Sequence, residues 1–179
     1  PSASLNMTKC KICREPFQKR SMTHKVCSPE CAATLAAKNR YNDQRRETKA
    51  KLQALKPRQQ WLKEAQSAFN AWIRYRDKDL PCISCQRHHL GQYHAGHYIS
   101  TGARPALRFN EANVHKQCSA CNNYLSGNLV LYRVNLINKI GINEVERLEN
   151  DTKPWKWTID MLKAIKADYM QRIKKAPSE

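Results

Sequence analysis

Cys82-Ile83-Ser84-Cys85, followed after 32 residues by Cys118-Ser119-Ala120-Cys121, is the stretch that decides the fold of this chain. Two thiolates separated by two residues in a tight turn can point at one tetrahedral ion, so the two pairs together can complete a zinc site. Disulfide bonds are the alternative, and they are typical of secreted chains. The pattern predicts a structural Zn²⁺ held by Cys82, Cys85, Cys118 and Cys121.

A second set of cysteines lies near the start of the chain. Its two pairs, thirteen residues apart, are Cys10 with Cys13 and Cys27 with Cys31. Ser28 suits a helix N-cap and Pro29 suits the first helical position, so Cys31 is expected in the first turn of a helix. There its sulfur would reach the same ion as that of Cys27. We therefore predict a second structural Zn²⁺, held by Cys10, Cys13, Cys27 and Cys31.

The charge of the chain indicates a polyanionic partner. Among its 179 residues, 32 are Lys or Arg and only 15 are Asp or Glu, a formal net charge of +17. So strong a positive field destabilises a compact chain unless a polyanion offsets it, which favours nucleic acid over a membrane surface. No stretch of 18 apolar residues is present, which argues against a membrane-spanning protein. No signal-peptide pattern opens the chain, so a secreted protein is not expected.

Two long helices are expected between the cysteine sets. The first continues from Cys31 to Pro57 with few apolar residues, so it is either solvated or laid against a phosphate backbone. Its predicted DNA contacts are Arg40, Arg45, Arg46 and Lys49. The second covers about 58–77 and carries one apolar stripe, which predicts a core-facing helix. Arg76 leaves that stripe and is predicted to face a ligand.

The rest of the chain is expected to mix short strands with helices. Strands are predicted near 92–98 and 112–115, a helix ending at Gly141, a short helix starting at Asn143, and a last helix from Trp155 to Lys175. These elements predict the α+β class in a mainly helical chain. The predicted segments are a basic zinc module with its helix (1–56), a connecting amphipathic helix (57–81), a core with the second zinc site (82–141) and C-terminal helices (142–179).

The residues inside the second cysteine set carry the candidate chemistry. The run His94-Ala95-Gly96-His97 is followed by Asn113 and then by Asn122, an order that resembles the HNH nucleases. The resemblance covers 82–128 and implies a small zinc-stapled ββα-metal core. It implies that His97 is the general base, that Asn122 is a ligand of one catalytic divalent ion, and that Asn113 orients the base. A nearby backbone carbonyl is the alternative group for orienting His97.

One position departs from the HNH pattern. Many members have an Asp directly before the base, as a metal ligand, and this chain has Gly96 there. The nearest candidate to replace that ligand is His94, whose softer imidazole suits Mn²⁺, Co²⁺ or Ni²⁺ more than Mg²⁺. The sparse ligand set nevertheless favours a hard cation, Mg²⁺ or Mn²⁺, that keeps several waters. Phosphate clamping is predicted for Arg104 and Arg108. A structural or DNA-contacting role is predicted for His115, and a place on the surface or beside the zinc site for His88 and His89.

A wider resemblance covers nearly the whole chain. The basic four-cysteine module, the Ser100-Thr101-Gly102 turn and the run 121–128 are similar to the lambdoid phage NinG family, which includes the Rap recombination endonuclease. This resemblance implies cleavage of branched DNA, such as Holliday junctions and D-loops, in the cytoplasm of an infected or lysogenic bacterial host. A homodimer is a possible assembly that would cut a junction symmetrically. The alternative function is a non-catalytic zinc protein that binds DNA as a recombination accessory.

Overall fold

The structure, a computed structural model, describes residues 7–176 and contains four short β-strands and five α-helices in that range. The described residues form two units, of which the first ends at Lys56 and the second begins at Pro57. The chain is α+β and mainly helical, as the sequence predicts. The predicted segments 57–81, 82–141 and, as far as residue 176, 142–179 all fall in the second unit. No helix within 7–176 combines the length and apolar character of a membrane span.

The first unit consists of a small hairpin and one long helix. Strand β1 (Met7–Lys9) pairs antiparallel with β2 (Pro16–Gln18), and α1 spans Pro29–Leu55. The Ser28 hydroxyl accepts the N–H of Cys31 at 3.3 Å, which confirms the predicted cap. None of the α1 side chains is fully buried. Packing therefore contributes little to this helix, and its cationic side chains face water.

The first of two hydrophobic cores in the second unit lies between the first and last helices of that unit. Helix α2 (Arg58–Arg76) packs on α5 (Ile159–Lys175). The sequence predicts a stripe of seven apolar residues on α2, of which Leu62 and Trp72 are only partly buried. The other five are buried: Trp61, Ala65, Ala68, Phe69 and Ile73. Phe69 meets Tyr169 of α5 edge to face, with ring centroids 5.0 Å apart. The apolar periodicity of α2 is thus explained by packing.

A two-stranded sheet lies in the same unit. Strand β3 (Tyr93–His97) pairs antiparallel with β4 (Val114–Cys118), and His97 lies opposite Val114. The connection contains 3₁₀ turns at Pro105–Phe109 and Glu111–Asn113. All five residues of β4 are buried, three of them polar, so the strand has no alternating pattern for sequence reasoning to detect. This is why the sequence placed the second strand too early, at 112–115.

The chain after β4 forms a turn and two short helices around a second core. A π-helical turn (Ala120–Tyr124) leads to α3 (Leu129–Ile140) and α4 (Ile142–Asn150). Gly141 ends α3 with φ 84°, a conformation that favours glycine, as the sequence predicts. The second core contains Ile83, Leu107, Tyr132, Leu136, Val145 and Leu148.

Two predicted helix starts are wrong. Helix α4 begins at Ile142, one residue before Asn143, because Gly141 occupies the cap position and no side chain caps the helix. Helix α5 begins at Ile159 and not at Trp155, because the Thr158 hydroxyl accepts the N–H of Met161 at 3.3 Å. Residues 151–158 have no regular secondary structure, and within this segment the Trp157 indole N–H donates to the carbonyl of Pro105 at 2.9 Å.

Arg76 and Asp77 form a polar centre beside β4 in which Asp77 is buried and Arg76 is partly buried. This pairing is contrary to the prediction that Arg76 faces a ligand. The Arg76 guanidinium donates to both Asp77 oxygens, at 2.9 and 2.8 Å, and to the carbonyl of Val114 at 2.8 Å. Asp77 is 2% exposed and also accepts the Lys116 N–H at 3.0 Å. Lys139 Nζ lies 3.4 Å from the same carboxylate. Arg76 therefore joins α2 to β4.

We expect Asp77→Asn to lower the free energy of unfolding at pH 7 by about 1.5–3 kcal/mol, because charged hydrogen bonds are lost in a buried site. Burial raises the pKa of Asp77, but Arg76 lowers it further, so the net pKa lies below its ordinary value. The stabilisation is therefore present above the unfolded pKa of about 3.9 and disappears as pH falls through the folded pKa. Urea unfolding over a pH series measures this. The exposed control Asp43→Asn is expected to leave the transition of the second unit unchanged, and an equal loss in both variants contradicts the prediction.

Candidate active site and metal clusters

The cysteines form two clusters, each of which fits one metal ion. All eight are free, and within each cluster the four sulfurs lie within 4.8 Å of one another. Three of the Sγ–Sγ distances are 3.3 Å (Cys13–Cys27), 3.7 Å (Cys27–Cys31) and 3.9 Å (Cys85–Cys118). A disulfide measures about 2.05 Å, whereas a tetrahedral site with Zn–S bonds of about 2.3 Å separates sulfurs by about 3.8 Å. The spacing fits two shared structural ions and not disulfide bonds.

The first cysteine pair of each cluster sits on the same backbone turn. The carbonyl of Cys10 accepts the N–H of Arg14 at 3.1 Å, and the carbonyl of Cys82 accepts the N–H of Gln86 at 2.9 Å. Arg14 and Gln86 are left-handed, with φ 64° and 55°. The N–H of Cys118 reaches the sulfur of Cys82 at 3.3 Å, a contact that favours the thiolate. The two clusters thus share the same turn at their first cysteine pair. In the sequence this similarity is visible only as the same two-residue spacing between the cysteines.

His97 has the geometry of a neutral base. Its Nε2 lies 3.0 Å from the backbone carbonyl of Arg108. Because a carbonyl only accepts hydrogen bonds, Nε2 carries the proton and Nδ1 keeps its lone pair. Burial lowers the pKa of His97 below its usual value and outweighs the raising effect of the carbonyls of Arg108 and Ala95. The ring is therefore uncharged at neutral pH, as a general base must be.

Asn113 acts on the loop that holds His97. It is fully buried, and its Oδ1 accepts the N–H of Ile99 at 2.8 Å. Its Nδ2 donates to the carbonyls of Ile99 at 3.0 Å and Leu107 at 3.2 Å. The carbonyl that accepts the hydrogen bond of the His97 ring belongs to Arg108, one residue after Leu107. Asn113 therefore fixes both ends of the loop, and the backbone carbonyl that the loop supplies orients the ring.

His97 and Asn122 line one open cleft. Its walls are β3, the loop after it, and the chain from the π-helical turn to the start of α3; the lining residues include Ala95, Ile99, Ser100, Thr101, Ser126 and Gly127. The amide nitrogen of Asn122 donates to Asn123 Oδ1 at 2.7 Å. The carbonyl oxygen of Asn122 is therefore the atom that it can offer to a cation. The structure thus brings these two predicted residues together.

The face of β3 that carries His94 has two buried atoms without partners. The strand register places His94 opposite Gln117 and Gly96 opposite His115, and side chains two residues apart share a face. Within the described residues, His94 Nε2 and Gln117 Oε1 are buried and have no hydrogen-bond partner. A Cβ built on Gly96 would overlap the Gln117 carboxamide. Gln117, which the sequence analysis missed, fills the space that a carboxylate at position 96 would need.

The histidines at positions 115, 89 and 88 lie outside the cleft that His97 lines. His115 is buried, and its Nδ1 lies 3.3 Å from the Tyr132 hydroxyl. Burial lowers the pKa of His115 to about 3, so it stays neutral and serves the core. His89 Nε2 lies 3.2 Å from the Cys85 sulfur, next to the second cluster, and His88 is exposed.

The predicted DNA contacts fall in two places. Arg40, Arg45, Arg46 and Lys49 are exposed along α1. In the second unit, the Arg104 guanidinium donates to the carbonyl of Ala103 at 3.3 Å. The Arg108 guanidinium turns toward α2, where it donates to Gln66 Oε1 at 3.1 Å. Periodicity along the chain gives no signal for that long-range contact.

Comparisons with known proteins agree over at least 90% of the chain. The family described as Bacteriophage Lambda NinG protein matches residues 2–179. Protein ninG of Salmonella phage P22 is 47% identical, over 90% of this chain and 89% of the relative. Protein ninG of Escherichia phage lambda is 46% identical (90% and 88%), and that of Escherichia phage 933W is 45% identical (93% and 92%). No solved structure matches. The chain belongs to the NinG family of lambdoid phage proteins.

Proposed function

We propose that this chain is a metal-dependent DNA endonuclease with an HNH-type core that cuts branched recombination intermediates such as Holliday junctions and D-loops. The observation that carries the proposal is the 3.0 Å hydrogen bond from His97 to the Arg108 carbonyl, in a cleft that Asn122 also lines. The net charge of +17 supports a DNA substrate. Selectivity for branched DNA rests on the resemblance to the Rap endonuclease.

The reaction is hydrolysis of a phosphodiester. Nδ1 of His97 takes a proton from a water molecule whose oxygen attacks phosphorus. The new phosphorus–oxygen bond forms as the bond to the 3′-oxygen breaks, which leaves a 5′-phosphate and a 3′-hydroxyl. The carbonyl of Arg108 holds the ring in the required tautomer, and Asn113 holds the loop that presents this carbonyl.

The proposed cation ligands belong to the β3–β4 hairpin and the turn after it. His94 lies on the face of β3 opposite to that of His97 and is not among the residues that line the cleft. The unpartnered His94 Nε2 and Gln117 Oε1 lie on neighbouring strands, and Asn122 offers a carbonyl oxygen from the next turn. We assign His94 and Asn122 as the ligands, with Mg²⁺ or Mn²⁺ as the ion. When bound, the ion stabilises negative charge on the phosphate and the leaving oxygen. In this proposal the two cysteine clusters hold structural Zn²⁺.

We expect His94→Ala to weaken Mn²⁺ binding by at least about 10-fold, the scale on which groups at metal sites act. Electron paramagnetic resonance of free Mn²⁺, measured without DNA, reports this directly and does not depend on cleavage. The exposed His88→Ala is the matched control and is expected to bind Mn²⁺ as the wild type does. Equal Mn²⁺ affinity in His94→Ala and the wild type would remove His94 from the ligand set.

Cleavage of a labelled immobile four-way junction, beside a linear duplex of the same length, tests the function. The assay compares Mg²⁺, Mn²⁺, Co²⁺ and no added ion. Metal-dependent cutting confined to the junction is the expected result. Equal cutting of both substrates would reduce the proposal to an HNH nuclease without branch selectivity, and binding without cutting under every ion would overturn it.

A non-catalytic recombination accessory protein is the second candidate. The observation that favours it is Gly96, where the HNH pattern has a carboxylate and where Gln117 leaves no room for one. This candidate predicts tight, salt-sensitive junction binding and no cleavage with any ion.

A homodimer completes the nuclease proposal. Two copies of the cleft would cut opposing strands of a four-way junction symmetrically. The mass of the protein in solution and on the junction tests the assembly, and a monomer under both conditions would dismiss it.

A further inference from the structure

We infer that the polar face of α2 is a track that binds the backbone of one duplex arm of the DNA as it leaves the His97 cleft. The inference rests on the proposed DNA substrate and adds a surface to it. The opposite face of α2 is the buried apolar stripe, so the helix is fixed in place with this face outward.

The track is a shallow groove without acidic residues. Its lining residues recur at three- and four-residue steps on α2, with one addition from the loop before β4: Gln59, Leu62, Lys63, Gln66, Ser67, Asn70, Arg74 and Arg108. Lys63 and Arg74 are exposed, and Arg108 is half-buried. The groove therefore combines three cations with neutral hydrogen-bonding groups and one aliphatic side chain.

The cations of the track lack carboxylate partners. Within 7–176, no salt bridge joins Lys63, Arg74 or Arg108 to an Asp or Glu. Glu64, the acid next to Lys63 in the sequence, binds Lys166 of α5 at 2.7 Å. Arg76, which follows Arg74 by two residues on α2, is not available to an external anion, because its guanidinium is bonded to Asp77 and to backbone carbonyls. The positive charge of the groove is thus left for an external anion.

Arg108 connects the groove to the cleft. Its backbone carbonyl accepts the His97 Nε2–H at 3.0 Å, while its guanidinium donates to Gln66 at 3.1 Å. Gln66 in turn donates to Asn70 Oδ1 at 2.8 Å. One residue therefore touches the candidate base with its backbone and the groove with its side chain. A strand cut next to His97 would pass directly onto α2.

The side chains that line the groove favour binding of the sugar-phosphate backbone of duplex DNA. Lys63 and Arg74 are eleven residues apart, about 16 Å along a helix, which spans about five phosphates at an axial spacing of about 3.4 Å per strand. Amide and hydroxyl groups between them match the donors that contact phosphate and sugar. Single strands are held by stacking on aromatic rings, and no aromatic residue is among those lining the groove.

The test uses the full-length protein and a Lys63→Gln/Arg74→Gln double variant. Junction binding is measured by fluorescence anisotropy without divalent ions over a range of salt concentrations. Loss of two phosphate contacts should flatten the slope of log Kd against log salt by about 1.8, since each contact contributes about 0.9. Lys153→Gln/Lys156→Gln removes the same charge from exposed positions outside the groove and is the matched control.

The outcomes separate this inference from the proposed function. A flattened slope in the groove variant alone supports the track, whether or not the wild type cleaves DNA. An equal change in both variants, or none in either, overturns the track even if the wild type cuts junctions. Displacement of the junction by polyglutamate from the wild type but not from the groove variant would assign the groove to an acidic protein and would also overturn it. Unchanged melting temperatures establish that the variants are folded.

Discussion

Replacing His97 with alanine is expected to slow junction cleavage by about 100-fold to 10,000-fold while junction affinity stays within about twofold of the wild type. The hydrogen bond to the Arg108 carbonyl holds the ring in the neutral tautomer that carries its proton on Nε2, so that Nδ1 keeps its lone pair. Alanine leaves the loop in place, because Asn113 holds it independently. Single-turnover cleavage with saturating protein measures the chemical step, and anisotropy measures binding.

The pH dependence gives a second readout of the same substitution. Because burial lowers the pKa of His97, the wild-type rate should rise through that lowered pKa and be level at pH 7, where the ring is neutral. The alanine variant should lack this rise. His88→Ala, an exposed histidine change, should retain both rate and profile. Cleavage by His97→Ala at the wild-type rate would end the general-base assignment.

Cys118→Ser is expected to abolish zinc binding at the second cluster and the cooperative unfolding of the second unit. Cys118 ends β4, and the cluster joins this strand to Cys82 and to the turn after it. Structural zinc supplies about 10–16 kcal/mol in small zinc modules, as much as the whole stability of a typical domain, about 5–15 kcal/mol. Metal analysis, near-ultraviolet circular dichroism and thermal melting report the loss.

Cys27→Ser is the matched change in the first cluster. It should also remove one of two zinc ions, but the unfolding transition of the second unit should persist, because that cluster lies wholly in the first unit. A zinc-depleted Cys118→Ser protein that melts like the wild type would contradict the structural role of the second ion.

The elements that sequence reasoning predicted well have local causes. Ser28 and Pro29 mark the start of α1 within four residues of sequence, and Gly141 marks the end of α3. The α2 stripe is visible because burial on one face repeats every three or four residues. The cysteine spacing indicated both clusters because the two members of each pair are only three or four positions apart in the sequence.

The features that sequence reasoning missed depend on distant contacts. The burial of His115, Lys116 and Gln117 is set by the elements packed on β4, so the strand has no periodic signature. Arg76 is occupied by partners from β4 and its neighbouring turn. The role of Gln117 at Gly96 follows from strand register, which a single sequence does not give.

Helix α1 has 27 residues and no fully buried side chain, a length of about 40 Å. No position along most of that length is constrained by a neighbour, so what natural selection can act on is the total charge and the helix propensity of the segment. If the proposed DNA binding holds, each Lys or Arg gained or lost on α1 changes the number of phosphate contacts by about one. Under that proposal, substitutions along α1 adjust the salt dependence of DNA binding in small steps.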